Sequence, residues 1–376
     1  MVAAGGAHTV LLRSDGTAVA FGENHAGQCS VPALDGGLSY TQVAAGAAHT
    51  VLLRSDGTAV AFGSNLEGQC SVPALDSGLS YTQVAAGLAH TVLVRSDGTA
   101  VAFGENREGQ CSVPALDGGL SYTQVAAGNV HTVLLRSDGT AVAFGSNHNG
   151  RCNVPALDGG LSYTQVAAGG FHTVLLRSDG TAVAFGWNGR GQCNVPALDG
   201  GLSYTQVAAG GAHAVLVRSD GTAVAFGSNQ DGQCNVPALD GGLSYTQVAA
   251  GGSHTVLLRS DGAAVAFSEN YAGQCNVPAL DGAPTYTARL LVGATLLLQA
   301  SLDGGAVRFL TLGGVERCRV RAAPGAPLAG VRDWLAGELG AGRLGPGLGR
   351  ADAALPGGRL LSGARRARPS RRLRVV

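Results

Sequence analysis

Two residue types able to bind metal or attack a substrate recur through the chain at one fixed interval. Histidine stands at 8, 49, 90, 131, 172, 213 and 254, and cysteine at 29, 70, 111, 152, 193, 234 and 275; members of each series are 41 residues apart. A zinc ion needs three or four such ligands within about 2.0–2.3 Å. One histidine per repeat spreads the series around a ring, too far apart to share an ion. The histidines therefore read as structural groups hydrogen-bonded to the backbone of the neighbouring repeat. The same spacing prevents disulfides, which need Cα atoms within about 7 Å of each other. The cysteines read as small buried apolar groups in a reducing compartment. Ser-Asp pairs also recur in every copy, and no Ser, His and Asp stand apart as a hydrolytic triad would. The chain has no lysine, which excludes a Walker-type phosphate loop. The expectation is a non-enzyme with no catalytic residue, no metal site and no cofactor.

The repeat that spaces these residues reads TQVAAGxxHTVLLRSDGTAVAFGxNxxGQCNVPALDGGLSY, and seven copies fill residues 2 to about 282. A period near 40 is the mark of a propeller, solenoid or array. Local chemistry selects strands. His49 to Leu53 is a short apolar run and Thr58 to Phe62 is its return, joined by Arg54-Ser55-Asp56-Gly57. Asp-Gly between two such runs signals a hairpin, because glycine tolerates positive φ. Gln42 to Ala45 leads into that hairpin as a further strand. Cys70 to Pro73 reads as an edge strand or loop, since proline donates no ladder hydrogen bond. Each repeat thus holds three or four strands and cannot bury both faces alone; radial packing of seven does so.

The 376 residues include 60 glycines, with 45% hydrophobic and only 13% charged residues. That composition supports a core and lacks the three-residue glycine period of collagen. The longest apolar stretch, Leu290 to Leu298, is short of the ~20 residues that span a bilayer. No charged leader with an apolar core opens the chain, so no signal peptide is expected. The formal charge is zero, yet residues 1–288 hold 10 Arg against 20 acidic residues and residues 289–376 hold 15 Arg against 5. An acidic body thus carries a basic tail.

The run VAAG-xx-HTVLL-xx-DGT-xx-x-FG-x-N-xx-GQ resembles the repeat of the regulator-of-chromosome-condensation family. That resemblance implies an all-β, seven-bladed β-propeller over residues 1–290. At 41 residues the unit is similar to the compact blades of bacterial members and of the repeat domains in HECT-type ubiquitin ligases. The resemblance also implies two alternative functions: guanine-nucleotide exchange on a small GTPase, or substrate recognition in a ubiquitin-ligase system. The near-identical copies show no inserted wedge loop for the first. The chain has no room for a transfer domain around Cys318 for the second.

Differences between copies concentrate in two loops. One is the pair before each histidine: Ala47-Ala48, Leu88-Ala89, Asn129-Val130, Gly170-Phe171 and Gly252-Ser253. The other is the x-N-x-x-G segment. In an antiparallel blade both loops lie on one face, opposite the Ser-Asp-Gly-Thr turns. That face presents Glu23, His25, Leu66, Glu67, Glu105, Arg107, Glu108, His148, Phe171, Trp187, Arg190, Gln230, Asp231, Glu269 and Tyr271. Aromatic and arginine side chains are common interface anchors. The expected function is a non-catalytic adaptor that binds a protein partner through this face; drift in unconstrained loops is the alternative. The protein is expected to be a monomer, cytoplasmic or nuclear, and not bound to membrane.

Residues 284–290 restart the repeat motif and are expected to pair beside the first blade and close the ring. Residues 291–362 read as a small α+β region. Leu296 to Leu302 and Val307 to Leu312 form a hairpin about Asp303-Gly304-Gly305. Arg317 to Ala322 is extended, and Pro327 to Leu339 has the apolar spacing of a helix. This resembles a truncated ubiquitin-like β-grasp domain; a decayed eighth repeat is the alternative. The tail, residues 363–376, holds Arg365, Arg366, Arg368, Arg371, Arg372 and Arg374. It is read either as a disordered solubilising segment or as a nuclear-localisation or nucleic-acid patch.

Overall fold

The computed structural model describes residues 1–279 and, as backbone only, the strands Arg289–Val292, Leu296–Asp303, Ala306–Leu310 and Glu316–Arg321. Residues 1–279 form seven three-stranded antiparallel sheets, each built from strands consecutive in sequence. These are the blades of the propeller, one per repeat.

Blade 2 shows why the repeat folds this way. Its strands are Tyr40–Ala45, His49–Arg54 and Ala59–Gly63. The middle strand is buried at every position but its last. A strand covered on both faces needs apolar residues throughout instead of alternation, and His-Thr-Val-Leu-Leu meets that need once its two polar side chains are hydrogen-bonded. Val51 pairs across to Ala44 and Ala61, so small residues flank it on both sides. The hairpin turn is held by Asp56, whose Oδ1 accepts from the Thr58 main-chain N–H at 2.9 Å and its hydroxyl at 2.7 Å. Gly57 takes φ +82° there, and a Cβ at that position would overlap Ser80. The Pro-containing connection contains no strand, and the fourth strand allowed for it is absent among the described residues. It is pinned from within the core, as where Tyr81 donates its phenolic proton to the Pro73 carbonyl at 2.9 Å.

The apolar core is divided among the blade interfaces. Val10 and Leu12 of blade 1 pack with Tyr40, Val43 and Leu52 of blade 2. The same set recurs onward to Val256 and Leu258 of blade 7 with Val2 and Leu11 of blade 1. The ring therefore closes by direct contact of the seventh copy with the first.

Of residues 284–290, expected to pair beside the first blade, 284–288 lie outside the described residues; Arg289 and Leu290 pair with Gln299 and Leu298. The four later strands form one antiparallel meander in sequence order. It contains the expected hairpin, with Asp303 opposite Ala306, and the third extended segment. The boundary expected between residues 290 and 291 falls inside the strand Arg289–Val292. The helix expected at 327–339 and the arginine tail lie outside the described residues.

Around the axis, each blade is tied to the next by a main-chain hydrogen bond. The N–H of Gly6 reaches the Gly46 carbonyl, Ala47 reaches Gly87, Leu88 reaches Gly128, and Asn129 reaches Gly169. Gly170 then reaches Gly210, Gly211 reaches Gly251, and Gly252 reaches Gly5, all at 2.9–3.3 Å. The glycine before each variable pair allows this approach. A Cβ on Gly87 would overlap both the His90 ring and the Gly128 carbonyl oxygen.

Candidate interaction face

Both variable loops leave the same edge of each blade. His49 opens the middle strand opposite Gly63, which ends the third, so the pair 47–48 and the segment 64–68 emerge side by side. They are tied together by the main chain, Ser64 N–H donating to the Ala48 carbonyl at 2.8 Å. The link recurs in every blade, from Glu23 to Ala7 at 2.8 Å to Glu269 to Ser253 at 3.3 Å.

The constant residues of the x-N-x-x-G-Q-C loop frame the variable ones. Asn65 Oδ1 accepts from the Cys70 N–H at 2.8 Å, and Gln69 Oε1 accepts from the Glu67 N–H at 2.9 Å. Gly68 takes φ +84°. With these contacts fixed, the remaining positions project outward. His25, Leu66, Glu67, Arg107, Glu108, His148, Phe171, Arg190, Gln230, Asp231 and Tyr271 are exposed; Glu23, Glu105, Trp187 and Glu269 are half-buried. Arg107 pairs with Glu67 of the preceding blade at 3.4 Å and with Glu105 at 3.8 Å. The four large hydrophobic residues exposed among the described residues all belong to this face: Leu66 (92%), Tyr271 (93%), Phe171 (42%) and Leu88 (41%).

The seven cysteines sit at the base of these loops, half-buried instead of fully buried as expected. Each thiol donates to a loop carbonyl, as Cys70 does to Ser64 at 3.2 Å. Burial pushes every one of them up to about 11, so they stand as thiols and not as thiolates.

The histidines lie just beneath, fully buried, and their partner differs from expectation. For six of the seven it is a threonine side chain of the next blade, not its backbone. His49 Nε2 lies 3.0 Å from Thr91 Oγ1, and that hydroxyl donates to the Gln69 carbonyl at 2.7 Å. A hydroxyl has one proton. Its donation to the carbonyl assigns the histidine proton to Nε2, leaving Nδ1 as a bare acceptor. Blade 2 thus grips one threonine of blade 3 from two sides. Burial lowers His8, His131 and His213 to about 3 and His49, His90, His172 and His254 to about 4. No cluster of metal-ligating side chains occurs among the described residues.

One residue of this face escaped the sequence reading. Copy 4 carries Arg151 where the other six carry glutamine. Without the glutamine carboxamide the loop tightens into a 3₁₀ turn at His148–Gly150, with Asn149 at φ +62°. Arg151 is only 4% exposed. Its Nε donates to the His148 carbonyl at 3.0 Å and Nη1 to the Gly170 carbonyl at 3.2 Å. The guanidinium lies 5.7 Å from the Phe171 ring centroid, and Phe171 meets Trp187 edge-on at 5.6 Å. The signal was present as a glutamine-to-arginine change, one residue past the segment taken as variable.

At the centre, the Ala-Gly-x segments of all seven blades surround a cavity of about 90 Å3. It has room for a few waters.

Seven separate matches to the Regulator of chromosome condensation (RCC1) repeat cover residues 2–28, 40–69, 81–110, 122–151, 163–192, 204–233 and 245–274. The chain belongs to that family of β-propeller repeat proteins. Its fold is similar to that of human WBSCR16, with 19% identity, TM-score 0.58, and coverage of 68% of this chain and 86% of that one. It is likewise similar to Prp20p from Saccharomyces cerevisiae, with 18% identity, TM-score 0.59, and coverage of 72% and 87%. The CRINKLY ectodomain of the Arabidopsis thaliana receptor kinase ACR4 matches at 18% identity and TM-score 0.57, covering 72% and 96%. No curated protein matches the sequence.

Proposed function

We propose that the protein is a non-catalytic binding platform that holds a protein partner on its variable-loop face. The observation that carries this reading is the placement of Leu66, Leu88, Phe171 and Tyr271, the large exposed hydrophobic residues, on that one face. They stand on blades 2, 3, 5 and 7, so large apolar contact is distributed around one face, and no large hydrophobic residue is exposed on the opposite turns among the described residues; the frame beneath holds them without needing their identity. The structure of Prp20p was described with its binding to Gsp1p and histones, and yeast RCC1 (Prp20) was solved bound to Kap60, so a protein of similar fold does engage other proteins.

The test is a paired capture. One bait is the native chain; the other carries Leu66→Ala, Leu88→Ala, Phe171→Ala and Tyr271→Ala, with its unfolding midpoint checked against the native one. A partner retained by the first and lost by the second supports the reading, and identical partner sets contradict it. The exchange alternative draws on the likeness to Prp20p. It predicts faster release of labelled guanine nucleotide from a small GTPase when the native chain is added.

A further inference from the structure

The variable face is not uniform in charge. The x-N-x-x-G loops of blades 1, 2, 3, 6 and 7 carry Glu23, Glu67, Glu105 with Glu108, Asp231 and Glu269 respectively. Those of blades 4 and 5 carry no acidic residue and present Arg190 and His148 instead. Arg151 adds a cation beneath them. It makes no ion pair among the described residues, and desolvation lowers its pKa. Burying a charge is costly; the Glu108 carboxylate of the preceding blade offsets only part of that cost, and an anion arriving above Arg151 would offset more. The same sector carries the aromatic pair. The Trp187 main-chain N–H donates to the Phe171 carbonyl at 2.9 Å, and the indole lies against Gly189, where a Cβ would overlap it. The result is an aromatic ledge bordered by cations, set in an otherwise acidic ring.

We infer that the Phe171–Trp187 ledge between blades 4 and 5 is the subsite for an acidic protein segment, one that places carboxylates near Arg190 and Arg151 and an apolar side chain against Phe171. This rests on the proposed function and names the chemistry of the partner. Charge complementarity selects the occupant. A basic segment would be repelled here and drawn to the other five blades, where the loops are acidic. Arg151 acts as a positioning residue: it holds the His148 loop to the Gly170 carbonyl, backs the Phe171 ring, and supplies charge from below.

The repeats themselves supply variants that fold. Arg151→Gln, Phe171→Ala, Trp187→Ser and Arg190→Glu each install the residue that sibling copies carry at the same position, as in Gln110, Ala89, Ser146 and Glu108. The full chain is titrated against a short fluorescein-labelled peptide of Asp and Glu around one leucine, read by anisotropy. The same peptide with Arg in place of the acids and a labelled single-stranded oligonucleotide are run beside it. The acidic peptide is expected to bind saturably, to weaken with salt, and to lose at least about tenfold in affinity in R190E and in R151Q. A drop in R151Q beyond that in F171A would separate its charge from its packing role. The inference is overturned if the acidic peptide does not bind, if the four-fold variant binds it as well as the native chain, or if the basic peptide is preferred. It also falls if the oligonucleotide binds more tightly and is lost in the same variants, which would make the site one for nucleic acid. Failure here alongside a partner lost from the four-alanine bait would remove the acidic-segment inference and leave the binding face standing.

Discussion

His172 and Ala214 form the one broken link in the ring of side-chain hydrogen bonds between blades. Every other ring histidine meets a threonine of the next blade at 2.9–3.0 Å. Blade 6 places Ala214 there, and His172 Nε2 is buried with no partner. The Gln192 carbonyl loses its hydroxyl donor for the same reason. Installing the missing group with Ala214→Thr satisfies both and should stabilise by about 1–2 kcal/mol. That raises the midpoint of thermal unfolding by roughly 2–4 °C. The reverse change, Thr91→Ala, strands His49 and should cost about 1–3 kcal/mol. Differential scanning calorimetry on the two variants checks both, and a midpoint unmoved or lowered in Ala214→Thr contradicts the link.

The buried histidines also set a pH dependence. They are neutral when folded, with values lowered by burial to about 3 or about 4. In the unfolded chain they titrate near pH 6.5. Above that pH neither state holds the proton, and the stability they support is fully present. As pH falls below about 6.5 the unfolded chain takes up protons that the folded chain refuses. Stability is therefore lost progressively down to about pH 4, and to about pH 3 for His8, His131 and His213. Each histidine adds a slope of about 1.4 kcal/mol per pH unit. Unfolding midpoints from pH 7.5 to 4.5 should fall steeply, with proton uptake on unfolding; a flat profile from pH 7 to 5 would refute the assignment.

The glycines of the central ring are fixed by contact more than by conformation. Gly87→Ala forces a Cβ into His90 and the Gly128 carbonyl and should cost about 3 kcal/mol or more. Gly78 has φ +87° with nothing within 4 Å of its Cβ site, so Gly78→Ala should cost only about 1 kcal/mol of backbone strain. Denaturant midpoints of the pair test the contrast, and equal losses would contradict it.

How much of this was legible in the sequence follows from what repeats. The 41-residue spacing and the Asp-Gly turns carry the three strands, the seven blades and the common face of the loops, because hairpin chemistry and alternation of direction are local. The histidine's partner is not local. It lies 42 residues on, and only the packed blades show that Thr91 faces His49 and that the Gln69 carbonyl orients the hydroxyl. The recurrence of His in all seven copies, and of Thr and Gln in six each, was visible, but nothing in it tied the three together. Cysteine burial was overstated because the thiol answers a loop carbonyl at the rim of the blade. Residues 284–290 repeat the motif, but 284–288 lie outside the described residues; the closure that the described residues show is the contact of Val2 and Leu11 with Val256 and Leu258. Arg151 was missed for the opposite reason: a single change within a constant motif has meaning only beside the Phe171 ring that it backs.

The account centres on one face of the disc meeting a partner, and site-specific photo-crosslinking reads that face directly. A photoreactive amino acid replaces Leu66, Phe171 or Tyr271 on the loop face, or Asp97 or Asp138 in the turns of the opposite face, and the chain is irradiated in cells. The account predicts a discrete protein adduct from the loop-face positions and none from the turns. Adducts from the turns alone, or no adduct from any loop-face position, would contradict it.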